Sequence, residues 1–270
     1  ATPQYYPVTF TSFWIDYRIW GLNPAGYHAV NVLLHGANAI LLWRILLALG
    51  IPGAWFIALL FGLHPIHVES VAWITERKNT LSGFFYLLGF FAYLRFRPPD
   101  AVRPYAGTMR WYGAALLCFA LALLSKTVTC SLPAAIVLVA RWKRGRIPWR
   151  DAIAMIPFFV LGAGMAAVTI FMEATHVRAA GPEWELGGIT RLLIALRGLW
   201  FYATKLAWPV DLTFIYPRVL PDATRLYDWW PAVSAGLAGA ILWMRRSRMH
   251  RGVPAALLFY AGTLFPALGF

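Results

Sequence analysis

Eight apolar runs constrain the fold of this chain more than any other feature. They cover residues 27–49, 54–63, 81–94, 111–124, 128–140, 152–171, 229–244 and 253–270. Charged residues make up only 13% of the chain, against roughly 25% in typical soluble domains. Some runs are shorter than the ~20 residues that a perpendicular helix needs, so we expect them to extend into their polar flanks. The sequence predicts an all-α, polytopic membrane protein with about eight transmembrane helices.

The basic residues predict the orientation of these spans. They concentrate in three short segments that the positive-inside rule assigns to the cytoplasm, namely 95–110, 141–150 and 245–251. Alternation of the spans then assigns four segments to the external face: 1–26, 64–78, 125–127 and 172–228. The 270 residues are therefore predicted to form a single multi-pass membrane domain.

Residues 181–208 are apolar in part but carry Arg191, Arg197 and Lys205. Counting them as a span would reverse the orientation of the last basic loop. We therefore predict an amphipathic helix that lies in the external interface. The net charge of +13 resides mainly in loops between apolar runs, so membrane lipids are the expected partners and nucleic acid is not.

Polar residues form a stripe along the first apolar run. His28, Asn31, His35 and Asn38 recur at steps of three, four and three, which places them on one helical face. Hydrogen bonding between helices is one interpretation, and a stripe that borders a substrate cavity is the other. His28 lies nearest the external end and is the member predicted to contact substrate.

The stretch His64-Pro65-Ile66-His67-Val68-Glu69-Ser70 brings two imidazoles and a carboxylate to the end of an apolar run. Ionisable groups near a membrane are costly to bury and so indicate function. Three interpretations stay open: a divalent metal site, although the spacing differs from the usual zinc patterns; helix capping, with Pro65 opening a helix and His64 near its N-cap; and an acid/base or sugar-binding cluster. His64, His67 and Glu69 are the catalytic candidates.

Several cations fall on the predicted external side, which opposes the usual charge bias. They are Arg77, Lys78, Lys126, Arg197, Lys205 and Arg218. Contacts with lipid headgroups would explain each one singly. Together they suit the phosphate or diphosphate of a lipid, and Lys126 is the sharpest case because its turn is very short.

Sequence blocks throughout the chain carry a family resemblance. In order, they are Tyr6-Pro7-Val8-Thr9, Gly21-Leu22-Asn23-Pro24-Ala25-Gly26-Tyr27-His28, Asn31-Val32-Leu33-Leu34-His35, His64-Pro65-Ile66-His67-Val68-Glu69, Glu76-Arg77-Lys78-Asn79-Thr80-Leu81-Ser82, Leu124-Ser125-Lys126, Phe201-Tyr202 through Lys205, Trp208-Pro209 and Phe214-Ile215-Tyr216-Pro217. The HPxHxE and LNPxGYH blocks are specific in combination. The chain resembles the membrane region of the transmembrane and tetratricopeptide-repeat mannosyltransferase-like proteins, which is similar to O-mannosyltransferases of the C-type glycosyltransferase fold.

The resemblance implies a sugar, expected to be mannose, carried on polyprenyl or dolichyl phosphate. It would pass by inversion to a hydroxyl group, expected to be a protein Ser or Thr, on the external face. The implied substrate-binding residues are His28, Arg77, Lys78, Lys126, Arg197, Lys205 and Tyr216. No cofactor is assigned, and a divalent metal stays open.

The base that the family would use is an acidic residue just after a first membrane helix, which we expect upstream of residue 1. Asp16 does not match that motif. We therefore expect a fragment that lacks the first span and the repeats and is inactive by itself. The membrane is expected to be a bacterial inner membrane, or the endoplasmic reticulum in a eukaryote. The alternative function is a non-catalytic scaffold, or a transporter-like protein, that presents a repeat domain.

Overall fold

The structure is a computed structural model that describes residues 5–98, 109–172, 175, 186–217, 219–246 and 248–265. Within these ranges the regular elements are all helices, so the prediction of an all-α fold is confirmed. The chain divides into two compact units, Ala1–Val177 and Arg178–Phe270. The single membrane domain over 1–270 stays a prediction.

The first unit contains eight α-helices and three 3₁₀ turns within its described residues. The helices are α1 (Pro7–Trp20), α2 (Pro24–Ala48), α3 (Ala54–Leu63), α4 (Val68–Ala72), α5 (Arg77–Phe96), α6 (Met109–Ser125), α7 (Leu132–Arg144) and α8 (Trp149–Met172). The 3₁₀ turns are Pro65–His67, Ile74–Glu76 and Thr127–Ser131. Each of the first six apolar runs coincides with a helix, and α5 extends beyond its run at both ends, as the short runs predicted.

Local sequence explains where several of these helices begin and end. Asn23 caps α2, because its Oδ1 accepts a hydrogen bond from the Ala25 amide at 3.1 Å, and Pro24 occupies the first helical position. Gly145 ends α7 in a left-handed conformation with φ of 72°, which glycine adopts without a steric penalty.

The core of the first unit lies among α5, α6, α7 and α8 and includes Ile45 and Leu49 from the end of α2. Phe119 and Phe158 are fully buried and stack with ring centroids 5.5 Å apart, with Leu123 and Leu132 buried in the same cluster. Gly89 allows α5 and α6 to approach closely, since a Cβ at this position would lie 3.3 Å from the Ala115 carbonyl oxygen. This packing holds α5 and α6 in register and so fixes the segments that precede α5 and follow α6.

Two of the described helices, α2 and α8, are each long and apolar enough to cross a membrane. The helix α3 and the segment Pro65–Ala72, bent by 49°, would together make a third crossing. The shorter apolar helices include α6, of 17 residues. The total of eight spans therefore stays a prediction.

The second unit contains three α-helices among its described residues: α9 (Gly188–Ala207), α10 (Trp230–Arg245) and α11 (Gly252–Leu264). The indole of Trp200 donates to the Pro231 carbonyl at 3.3 Å, which ties α9 to the start of α10. The Tyr260 hydroxyl donates to the Leu199 carbonyl at 2.6 Å, which ties α11 to α9. A helix thus occupies most of segment 181–208, and its position in the external interface stays a prediction.

Candidate functional site

Arg77, the first residue of α5, is fully buried and makes contacts with all sides of its guanidinium group. Its Nη1 contacts the Asp16 carboxylate, its Nε donates to Asn31 Oδ1 at 2.9 Å, and its Nη2 donates to the Tyr27 carbonyl at 2.9 Å. The guanidinium also lies 4.7 Å from the ring centre of Phe13. Arg77 therefore ties α1 and α2 to the start of α5.

Asn31 extends this arrangement to the segment between α4 and α5. Its Nδ2 donates to the carbonyls of Val71 and Trp73, at 3.3 and 3.1 Å. These contacts fit the interpretation of the polar stripe as hydrogen bonding between elements. The contacts of Arg77 hold neighbouring elements together, and the substrate contact predicted for it stays a prediction.

A second group of polar side chains connects residues that flank Arg77 in the sequence to Lys126, which follows α6. The Lys126 ammonium donates to Asn79 Oδ1 at 2.5 Å, and Asn79 Nδ2 donates to Ser70 Oγ at 3.0 Å and to Glu76 Oε2 at 2.8 Å. The Lys78 ammonium lies 3.0 Å from Glu76 Oε1. We name these five residues the Lys126 network. It brings together two of the predicted cations, Lys78 and Lys126, which are 48 residues apart in the sequence.

Lys126 follows α6 in a turn, outside the helical spans. Burial lowers the pKa of its ammonium group, the carboxylates of Glu76 and Glu69 partly oppose that effect, and Lys78 adds to it. A cation that is partly removed from water interacts more strongly with an added anion than a solvated one does. The geometry therefore gives Lys126 the properties of an anion-binding group.

Aromatic and imidazole rings gather where α3 ends. The ring of His67 lies 4.5 Å from Phe61 and 5.2 Å from His35, measured between centroids. His35 Nε2 lies 3.1 Å from the Gly62 carbonyl oxygen. His64 precedes the 3₁₀ turn, and its Nδ1 accepts from the Ile66 amide at 3.2 Å, which is the capping arrangement considered for it.

The metal interpretation of this stretch gains no support from the geometry. Among the residues that the structure describes, no three His, Cys, Asp or Glu side chains are grouped so as to hold a metal ion. We therefore derive no chemical step through a metal.

A cavity of about 370 Å³ adjoins both the rings and the Lys126 network. Its lining residues are His35, Asn38, Phe61, His67, Ser70, Asn79, Thr80, Gly83, Tyr86 and Leu87. Ser70 and Asn79 belong to the cavity and to the network, so the two features form one continuous site. We name the combination the N-terminal site of α5.

Other predicted residues of the first unit lie differently. Glu69 is exposed on α4 and contributes to the electrostatic environment of Lys126. His28 is exposed near the start of α2, outside the hydrogen-bonded groups described above. Sequence reasoning did not select Ser70 and Asn79. Asn79 falls inside a family-like block and Ser70 directly follows one, and each stands next to an ionisable residue, which is a usable signal.

In the second unit, Lys205 and Tyr216 lie together. The Lys205 ammonium donates to the Val210 carbonyl at 2.6 Å and lies 5.5 Å from the ring centre of Tyr216. The Tyr216 hydroxyl donates to the Asp211 carbonyl at 3.3 Å. Arg197 lies 3.8 Å from the Asp228 carboxylate. These contacts organise the segment after α9, and a substrate-binding role for the three residues stays a prediction. Arg218 lies outside the described residues.

The helical fold, the long apolar helices and the cation bound to a residue of the cavity wall define the class: a helical membrane protein with a candidate site for an anionic ligand. No family model matches the chain, and no solved structure matches it. Similarity to known proteins is found among the curated TMTC proteins, which are named protein O-mannosyl-transferases.

The chain is 40% identical to mouse TMTC2 over 126 residues, which cover 46% of this chain and 15% of the relative. It is 42% identical to Xenopus laevis TMTC2 over 94 residues, 34% of this chain and 11% of the relative. It is 31% identical to human TMTC4 over 140 residues, 46% of this chain and 19% of the relative. The chain thus matches only a small part of each relative, and these matches confirm the resemblance to the TMTC family that the motifs carry.

Proposed function

We propose that this chain is the membrane part of a glycosyltransferase of the O-mannosyl-transferase kind. It transfers a sugar, expected to be mannose, from polyprenyl or dolichyl phosphate to a hydroxyl group of a protein Ser or Thr on the external face. The location is a membrane crossed several times, a bacterial inner membrane or the endoplasmic reticulum. The names of the TMTC relatives and the apolar helices support this proposal.

The observation that carries the proposal is the position of Lys126 beside the cavity. Transfer of a sugar from a lipid phosphate breaks the bond between the anomeric carbon and the phosphate oxygen, and the electron pair stays on the phosphate. A partly desolvated ammonium group stabilises that developing charge. Lys126 supplies such a group, and Lys78 adds a second cation within the same hydrogen-bonded network.

The remaining roles follow from position. The acceptor oxygen attacks the anomeric carbon from the face opposite the phosphate, and its proton passes to a carboxylate. We assign the base to no residue of this chain. Glu69, exposed and electrostatically coupled to Lys126, is proposed to bind sugar hydroxyls together with His64 and His67. Arg77 positions α5 through its buried contacts.

The proposal is tested by sugar transfer from radiolabelled polyprenyl-phosphate mannose, using the full-length protein in membranes. We expect Lys126→Ala to reduce kcat by about 10²–10³, the range seen when one stabilising group is removed from a transition state. Glu69→Gln should also reduce transfer. Lys143→Ala serves as the matched control, because this exposed lysine lies near the end of α7 against Trp142 and is absent from the site.

Three outcomes are distinguishable. Loss of transfer in both variants, with folding retained and the control active, supports the enzyme and its site. Transfer that survives both substitutions supports the enzyme and contradicts the site. Absence of transfer by the wild-type protein, across several lipid-linked sugars, contradicts the proposal and supports a non-catalytic scaffold.

A further inference from the structure

The cavity next to the Lys126 network has both polar and apolar lining residues. None of its ten lining side chains carries a carboxylate, ammonium or guanidinium group. Its volume of about 370 Å³ lies within the range of about 300–1,000 Å³ that is typical of small-molecule sites. The cavity therefore suits a neutral ligand with hydroxyl groups, while an anionic group would lie next to it at Lys126.

Asn38 places an unpaired hydrogen-bond acceptor at the cavity. Its side chain is 3% exposed, and its Nδ2 donates to the Thr80 carbonyl at 2.9 Å. A carbonyl oxygen only accepts, so the amide orientation is fixed and Oδ1 points away from Thr80. That oxygen has no hydrogen-bond partner among the described residues. Buried acceptors are nearly always satisfied, so this one indicates a partner such as a ligand hydroxyl group.

The space beside Asn38 depends on Gly83. A Cβ at position 83 would lie 3.3 Å from Asn38 Nδ2, closer than most side-chain contacts. Glycine therefore leaves room for the Asn38 amide, which is buried at the wall of the cavity. Phe61 contributes an aromatic ring to the same cavity, with His67 packed against it at 4.5 Å. Rings of this kind pack against the C–H face of a pyranose.

We propose that this cavity is the subsite for the sugar ring of the donor, which it binds through hydrogen bonds to Asn38 and Ser70 and through packing on Phe61. This inference rests on the proposed function. It adds that two parts of the donor bind at different places: the neutral sugar ring occupies the cavity, and the lipid phosphate lies at Lys126. Asn79 lies at the boundary, since it lines the cavity and accepts from the Lys126 ammonium at 2.5 Å.

The test compares equilibrium binding of two lipids to the full-length protein in nanodiscs. The lipids are polyprenyl-phosphate mannose and polyprenyl phosphate, which differ only in the sugar. We expect the wild-type protein to prefer the sugar-bearing lipid by about tenfold, as one or two well-made hydrogen bonds would give. Asn38→Leu, which keeps the volume and removes the acceptor, should abolish the preference and leave polyprenyl phosphate binding unchanged.

Phe61→Leu provides a second variant, because Asn38→Leu also removes a bond to Thr80 and could impair folding. Phe56→Leu is its matched control: the same substitution on the same helix, at a side chain that is 56% exposed. The control should keep the wild-type preference. Lys126→Ala should weaken the binding of both lipids by a similar factor.

Equal binding of both lipids by the wild-type protein would overturn the subsite. So would a preference that survives both Asn38→Leu and Phe61→Leu, or no binding of either lipid. The transfer assay separates this inference from the proposed function. A protein that keeps the binding preference but transfers no sugar contradicts only the function, whereas one that transfers sugar with unchanged KM in both variants contradicts only the subsite.

Discussion

Each end of α5 has a buried contact between arginine and aspartate, but the two ends differ in the number of arginines and in their exposure to solvent. At the N-terminal end, Arg77 is inaccessible to solvent and faces one carboxylate, that of Asp16. At the C-terminal end, the Asp151 carboxylate lies between Arg97 and Arg144, whose side chains remain 12% and 15% exposed. One carboxylate thus neutralises one buried cation at the first end and two partly solvated cations at the second.

The C-terminal end has the character of a clamp between loops. Arg144 contacts Asp151 and donates to the Pro98 carbonyl at 2.7 Å, so it joins the end of α7, the start of α8 and the end of α5. Arg97 and Pro98, which belong to one segment predicted to be cytoplasmic, therefore meet residues of a second one, 141–150, at one end of the first unit. The end that carries Lys126 lies about 30 Å away along the twenty residues of α5.

Burial and protein partners distinguish a cation that stabilises the fold from one that can bind a ligand. Arg77 is saturated by protein groups, whereas Lys126 is partly buried beside a cavity and bound by one neutral amide oxygen. Predicting substrate contacts from cationic character alone treats these two residues alike. Burial and partners distinguish them.

The largest effect is expected from Asp16→Ala. This substitution leaves the guanidinium of Arg77 buried without its counter-charge, and breaking a buried pair in this way costs about 3–5 kcal/mol. We would measure the free energy of unfolding of the full-length protein in mixed micelles, by denaturant titration and tryptophan fluorescence. Asp16→Asn, which keeps an acceptor for Arg77, should lose less. A loss below about 1 kcal/mol for Asp16→Ala would mean that Arg77 is solvated, and the contrast between the ends would disappear.

A smaller effect is expected from Asp151→Ala at the other end. Arg97 and Arg144 are partly exposed, so water can solvate them when the carboxylate is removed, and Arg144 keeps its bonds to carbonyl groups. We expect a loss of about 1.5–3 kcal/mol, the range for hydrogen bonds to charged groups. The same unfolding measurement applies. A loss equal to that of Asp16→Ala would show that the two ends do not differ in solvation.

Much of the fold was predictable from apolar patterning, because most helices coincide with apolar runs. Three helices lie outside these runs: α9, which was predicted as an amphipathic helix, the short α4, and α1, which lies in a segment predicted only to be external. Of these, α1 is the one without a helical signal in the sequence. Its buried positions are Thr9 and Asp16, both polar, so no apolar periodicity marks it. Thr9 donates to the Ser125 carbonyl and Asp16 contacts Arg77, which are tertiary contacts that a single sequence does not display.

The candidate site was predictable in part. The sequence indicates the stretch around His67 and the turn at Lys126, because ionisable groups are unusual beside apolar runs. Nothing in the spacing indicates that Asn79 joins them, since it stands 47 residues before Lys126. Likewise the polar stripe of α2 separates in the structure: Asn31 is used to hold neighbouring elements, whereas Asn38 retains an unpaired oxygen at the cavity.

The smallest effect, and the one that separates ligand binding from folding most sharply, is the response of Lys126 to alkaline pH. Burial lowers the pKa of this lysine from its usual value of 10.5, so its charge is lost at a lower pH than that of a solvated lysine. Binding of polyprenyl phosphate should therefore weaken as the pH rises towards 10.5. Lys126→Arg should retain binding over this range, because a guanidinium group stays protonated.

Stability should change in the opposite direction over the same interval. Between the lowered pKa of the folded state and 10.5, the unfolded chain binds more protons at this lysine, so the contribution of Lys126 to the free energy of unfolding rises with pH. Binding that is lost while stability holds would assign the anion site to Lys126. Parallel loss of both in the wild-type protein and in Lys126→Arg would instead indicate alkaline unfolding, and Lys126 would then be as structural as Arg77.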